Sequence, residues 1–351
     1  MFRISTLYLI IIISVFSDFF ASRTAISKSI LQHDADGVKI RATVTVSKNG
    51  FGNFSRINDA VAMAPNNSNG DEGFFHIKIM EGEYEEYIKI DQNKRYLMMS
   101  GAGINRTIIT GNHSYEDGWG IDVSATFIAS GSHFICKHLT IRNTAGPTKG
   151  QALALMCSGD LSVFYNCSIE GYQDTLWVRS GKQFYRECDV YGTIDFIFGN
   201  AVVVLQKCNL YARRPSKGNG NEITAQGLKT NYVPPVKCSS RSATGTNPKD
   251  QSGIVIQGCA IKPTHDLARS NYTVKTYLGR PWKNYSRTII MQTYIDGFIE
   301  PAGWDKSSGE ALKTYHIISA TIASNFTVSS FIDGDSWIPQ TKVPYIGGLV
   351  P

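Results

Sequence analysis

Residues 164–169 read Phe164-Tyr-Asn-Cys167-Ser-Ile169, and the same pattern returns at Tyr185–Val190, Leu205–Leu210 and Ile256–Ile261. In each copy an apolar or aromatic residue, two variable residues, a cysteine, one more variable residue and an apolar residue follow in order. Cys167, Cys188 and Cys208 are 21 and 20 residues apart, and Cys259 comes 51 residues later, after a stretch rich in Gly, Ser, Pro and Asn. A fixed period near twenty, built from short apolar runs between Gly and Asn turns, is the signature of stacked coils in a parallel β-helix. Equivalent positions then sit about 4.8 Å apart on successive coils. A leucine-rich repeat has a similar period, but its Leu/Asn consensus is absent. The cysteines are read as an inward ladder of small apolar side chains. Stacking would also bring Cys167 and Cys188 within disulfide reach.

The flanks agree with an all-β chain carrying short helices. Val38, Ile40, Ala42, Val44 and Val46 alternate with Lys39, Arg41, Thr43 and Thr45, which predicts a half-buried strand. Ile57, Ala60, Val61 and Ala64 share one helical face, and Pro65 stops that helix.

The same period organises polar residues. Asp174 lies seven residues after Cys167, and Asp195 lies seven after Cys188. If the cysteines stack, the two carboxylates stack as well. Two close carboxylates cannot both ionise freely, so one pKa is expected to rise while the other stays low. That division supplies a protonated acid and an anionic nucleophile or base at one pH. Taken singly, each Asp would be read as a solvated turn residue; the shared offset favours chemistry. Gln151 and Gln173, 22 apart, offer amide N–H donors for a developing oxyanion, although ordinary turn amides would look the same. Further on, Leu278-Gly-Arg280-Pro-Trp282 provides a guanidinium that could orient a carboxylate and an indole that could face a sugar ring. A buried ion pair with a core Trp is the competing reading.

At these residues the chain resembles a plant pectin methylesterase, in the form without the inhibitor-like pro-domain. The ordered set is Gly82–Glu86, Asn143–Gly146, Gln151–Leu155, Gly171–Leu176, Gly192–Asn200, Thr224–Gly227 and Leu278–Trp282, from about Ala42 to the C-terminus. The resemblance implies a right-handed single-stranded parallel β-helix. It also implies roles: Asp195 as nucleophile, Asp174 as general acid and then base, Gln151 and Gln173 as the oxyanion site, Arg280 as the group holding Asp195 ionised, and Trp282 as a galacturonate contact. The implied reaction is hydrolysis of C6 methyl esters in homogalacturonan, with no metal or organic cofactor, and inhibitor proteins are implied as partners. Alternatives are a pectin lyase or polygalacturonase-type enzyme on the same coils, or a catalytically impaired wall-binding relative.

The chain departs from the family pattern in places. Gly120 and Ile121 stand where a Thr-Thr pair is usual, and Gly150 replaces a common His. The stretch 229–248 is about fifteen residues longer than usual, and Ala311–Thr314 runs into Tyr315 without a customary Tyr-Tyr-Gly-Glu-Tyr segment.

The 351 residues carry 35 Lys+Arg against 29 Asp+Glu, a formal charge of +6, with 42% hydrophobic residues. These values exclude a disordered or collagenous chain. With no Lys/Arg run, they favour a polyanionic polymer over nucleic acid. Residues 1–22 read as a secretory signal: Arg3 precedes an apolar run from Leu7 to Phe16 that is too short to span a bilayer, and Ala21-Ser22 follows. A leader over 23–37 and a catalytic domain over 38–351 complete the expected organisation, as a secreted, monomeric cell-wall protein free of the membrane after cleavage. Eight Asn-x-Ser/Thr sequons fit that route: Asn53, Asn66, Asn105, Asn112, Asn166, Asn271, Asn284 and Asn325. With seven cysteines, the odd count leaves at least one unpaired in a monomer.

Overall fold

The computed structural model describes residues 32–227, 252–283, 286–305 and 315–351. The expected signal and most of the leader, the long stretch around Cys238, the sequon at Asn284 and the junction at Ala311–Thr314 lie outside the described residues.

The strands run into three sheets of ten, eight and seven members, and every third strand in chain order is a neighbour. All ladders are parallel apart from Gln32–His33 against Lys39–Val46. This is a right-handed parallel β-helix, as expected. Its first sheet includes Ser162–Tyr165, Lys182–Arg186, Val202–Gln206 and Gly253–Gln257; its second, Ser168–Glu170, Asp189–Gly192 and Asn209–Ala212; its third, Leu155–Cys157, Leu176–Val178, Ile197–Gly199 and Asn221–Gln226.

The repeated motif is the corner between the first and second sheets. Asn166, Glu187 and Lys207 occupy the left-handed region with φ of 49°, 52° and 54°. Each passes its amide to the coil above: Asn166 N–H donates to Arg186 O, Glu187 to Gln206 O and Lys207 to Gln257 O. A single left-handed residue therefore turns the chain without breaking the ladder. For Glu and Lys that conformation costs roughly 1 kcal/mol each, offset by the retained hydrogen bonds. The next residue points inward. Cys167, Cys188, Cys208 and Cys259 are all in the main core cluster. Each thiol reaches a backbone carbonyl, for example Cys188 Sγ to Phe164 O at 3.4 Å. The disulfide within geometric reach does not form: Cys167 and Cys188 are free thiols. Cys136 pairs in register with Phe164 on the strand, so it is outside the corner ladder, where Leu139 takes the equivalent place.

The predicted helix is Ile57–Met63, and Ile57, Ala60, Val61 and Ala64 cover one end of the core. Glu86 accepts hydrogen bonds from the first-turn amides of Ile57 (2.8 Å) and Asn58 (3.1 Å). The predicted strand is Lys39–Val46, with a register shift at Ile40/Ala42 that leaves Ala42 half-buried. Along the outer face of the first sheet, Val328, Phe331, Ile332, Trp337 and Ile338 pack on Val163, Phe184, Val204, Val255 and Ile289, one apolar residue per coil.

Candidate active site

The third sheet positions the two aspartates. Leu176 and Ile197 face each other in register, and Asp174 and Asp195 lie two residues before them. Both take left-handed backbone, φ 61° and 50°, the conformation that Asp tolerates better than most residues. The ladder continues through them: Asp174 N–H donates to Ile194 O (3.0 Å) and Leu176 N–H to Phe196 O (2.9 Å). The carboxylates thus occupy equivalent corners of adjacent coils, as the shared offset from the cysteines predicts. They are 4% and 8% exposed.

Their partners differ. Arg280 grips Asp195 with two parallel bonds, Nε to Oδ1 at 2.8 Å and Nη2 to Oδ2 at 2.5 Å. Asp174 is in no ion pair among the described residues and feels Arg280 only at a distance; its carboxyl is hydrogen-bonded by Gln151. Burial, and secondarily the charge of Asp195, push the Asp174 pKa up to about 8. Asp195 does not stay low, contrary to the expectation from pairing alone. Burial raises it too, and the Arg280 hydrogen bonds and charge work against that rise. The split between the two survives because only Asp195 has the guanidinium. In turn, Arg280 is driven further toward its charged form by that hydrogen bond.

Gln151 and Gln173 lie side by side on adjacent coils: Ala152 N–H donates to Gln173 O at 3.2 Å, the same bond by which Asp174 N–H reaches Ile194 O, so Ala152 pairs with Asp174 and Gln151 with Gln173. Their spacing of 22, one more than from Leu155 to Leu176, is taken up where the N–H groups of Ala154 and Leu155 both donate to Thr175 O. Both side chains are half-buried, at the edge of the aspartate pair. Trp282 is 51% exposed, which discards the core-Trp reading. Its amide donates to Gln226 O, and its ring lies over Gly227, where a Cβ would come within 2.5 Å of Cε3. Only glycine permits that approach.

Sequence reasoning missed Glu222. It is 8% exposed on the strand Asn221–Gln226, and its pKa is raised to about 7 by burial first and then by the Asp195 charge. Ile197 pairs with Thr224, so Glu222 is the next-coil equivalent of Asp195. The signal was obscured because the connection 213–220 makes this coil 27 residues long.

A separate cavity of about 380 Å³ lies beside Asp34, Asp36, His76 and Lys137, and none of the aspartate pair lines it. The Lys137 ammonium there is already paired with Asp36 at 3.0 Å. Among the described residues no group of three or more His, Cys, Asp or Glu could hold a metal ion.

The pectinesterase family model matches residues 43–317. The chain belongs to the pectinesterase family. It is 55% identical to the Arabidopsis thaliana protein named "Probable pectinesterase/pectinesterase inhibitor 20", covering 93% of this chain and 60% of that protein. It is 44% identical to Pectinesterase 2 of Citrus sinensis, covering 88% and 61%. The chain therefore spans about 60% of the length of these curated relatives. The solved pectin methylesterase from carrot is 37% identical with a TM-score of 0.79, covering 92% of this chain and all of the carrot chain.

Proposed function

We propose that this pectinesterase-family chain hydrolyses galacturonate C6 methyl esters in homogalacturonan, releasing methanol and leaving an acidic polymer. The observation that carries the reading is the unequal treatment of two equivalent carboxylates: Asp195 is clamped by Arg280, whereas Asp174 is buried outside any ion pair among the described residues.

The steps follow from that inequality. Asp195, kept anionic by the guanidinium, attacks the ester carbonyl carbon. Negative charge develops on the carbonyl oxygen, and the half-buried amides of Gln151 and Gln173 supply N–H donors there; one such donor is worth about 10²–10³ in rate. Asp174, neutral below about pH 8, gives its proton to the departing methoxy oxygen. The Asp174 carboxylate formed in this step then takes a proton from water, and the hydroxide opens the acyl-enzyme anhydride. Asp195 leaves as carboxylate and Asp174 is again protonated. The exposed Trp282 ring offers a flat face for the sugar.

The positive charge of +6 favours retention in an acidic wall matrix. No helix among the described residues is long and apolar enough to cross a membrane. Secretion through the N-terminal segment, action as a monomer and capture by inhibitor proteins belong to the same reading.

The deciding assay is incubation with highly methylated pectin. Methanol release without chain shortening is expected, and Asp195→Asn is expected to abolish it while leaving the circular dichroism spectrum unchanged. Cleaved chains or unsaturated ends would support the lyase or glycosidase reading instead. Pectin binding without methanol release would support the non-catalytic one.

A further inference from the structure

Three consecutive coils carry an acid at one ladder position: Asp174, Asp195 and Glu222. Arg280 belongs to the coil after Glu222, where its N–H donates to Thr224 O at 2.9 Å. Its guanidinium reaches across the Glu222 coil to grip Asp195. Nε and Nη2 are used in that grip, and Nη1 donates no hydrogen bond among the described residues. The Glu222 carboxylate likewise accepts no hydrogen bond among the described residues; the residue is 8% exposed, and its oxygens keep a contact with solvent. A largely dehydrated carboxylate outside any ion pair, one coil from a guanidinium with a spare donor edge, is poised between two states.

We propose that Glu222 is a positioning residue of this site: ionised, it draws the Arg280 guanidinium away from Asp195, and protonated, it releases Arg280 to Asp195 alone. This rests on the reading of Asp195 as nucleophile. The neighbours of Glu222 define its response. Asp195 lies on the coil before, Arg280 and Tyr277 on the coil after, and Asp305 nearby; Asp195 and Asp305 oppose its ionisation and Arg280 favours it. Arg213 and Lys275 meet the adjacent Asn221 through their backbone carbonyls. Burial keeps Glu222 neutral to about pH 7. Above that, a second anion near the attacked carbonyl opposes the negative charge of the tetrahedral intermediate, so turnover falls.

The test compares pH profiles of kcat and KM on methylated pectin for the wild type, Glu222→Gln and Glu222→Asp. Glu222→Gln is expected to match the wild type within about twofold at pH 5 and to carry its alkaline limb upward by roughly one pH unit, with little change in KM. Glu222→Asp, which keeps the ionisable group, is expected to retain the wild-type limb. A Glu222→Gln profile superimposable on the wild type, or a loss equal at every pH, overturns the inference. Carboxyl ¹³C NMR of the unsubstituted protein checks it without a mutation: a Glu222 resonance that finishes titrating below pH 5 also overturns it. If Asp195→Asn stayed active, the mechanism itself would fail; if Asp195→Asn is dead and Glu222→Gln is unchanged, only the role of Glu222 fails.

Discussion

Replacing Asp174 by Asn is expected to stabilise the protein while silencing it. Asn tolerates the left-handed backbone at this corner, so the ladder through residue 174 survives. The native Asp174 binds its proton up to about pH 8, against 3.8 for the free group. Between those values the unfolded chain releases a proton that the folded chain keeps. This disfavours folding by 1.36 kcal/mol per pH unit. At pH 7 the cost reaches about 4 kcal/mol; below pH 3.8 both states are protonated and it vanishes. The stability associated with this group is thus complete at low pH and is lost as pH rises toward 8. Asn removes the dependence. For a chain of this size roughly 1.5 °C accompanies each kcal/mol, so Asp174→Asn should raise the melting temperature by about 6 °C at pH 7 and by nothing at pH 3.5. Differential scanning calorimetry across pH reads this directly. A gain equal at both pH values, or a loss at pH 7, would refute the claim that Asp174 is buried as a neutral acid.

Arg280→Lys keeps a charge but cannot make the two-pronged grip; kcat should fall by about 10² or more and the acid limb of the profile should move upward, and an unmoved limb would count against the clamp. Gly227→Ala puts a Cβ into the Trp282 ring, so KM for pectin should rise several-fold with kcat nearly preserved, measured by initial rates. The six buried free thiols among the described residues should be silent to a thiol reagent in the native protein and titrate after denaturation; no increase on denaturation would mean that they are bridged.

The coil period and the aspartate pair were legible because the path from the second sheet to the third is the same length in both coils, Ser168 to Leu176 and Asp189 to Ile197, so Cys167–Asp174 and Cys188–Asp195 repeat one offset. Glu222 was not, because the longer connection before it breaks the count, although its ladder position is the same. The failure to hold Asp195 low was also invisible. Sequence pairing suggested the partner Arg280 but not how thoroughly the surrounding coils dehydrate the carboxylate. For Trp282, neighbouring residues gave no indication of whether the ring would be covered; its exposure follows from Gly227 lying beneath it.

The one-residue corner acts as a spacer of fixed pitch. Lengthening it would shift every later coil out of step, whereas connections 144–154, 213–220 and 264–275 are longer than the register-matched pair 171–175 and 193–196 that carries the aspartates, without disturbing the stacking. Those adjustable segments flank the acid ladder. Walls of the cleft can therefore be remodelled for different polymer patterns while the distance between the reacting carboxylates stays locked, which separates the inheritance of chemistry from the diversification of preference.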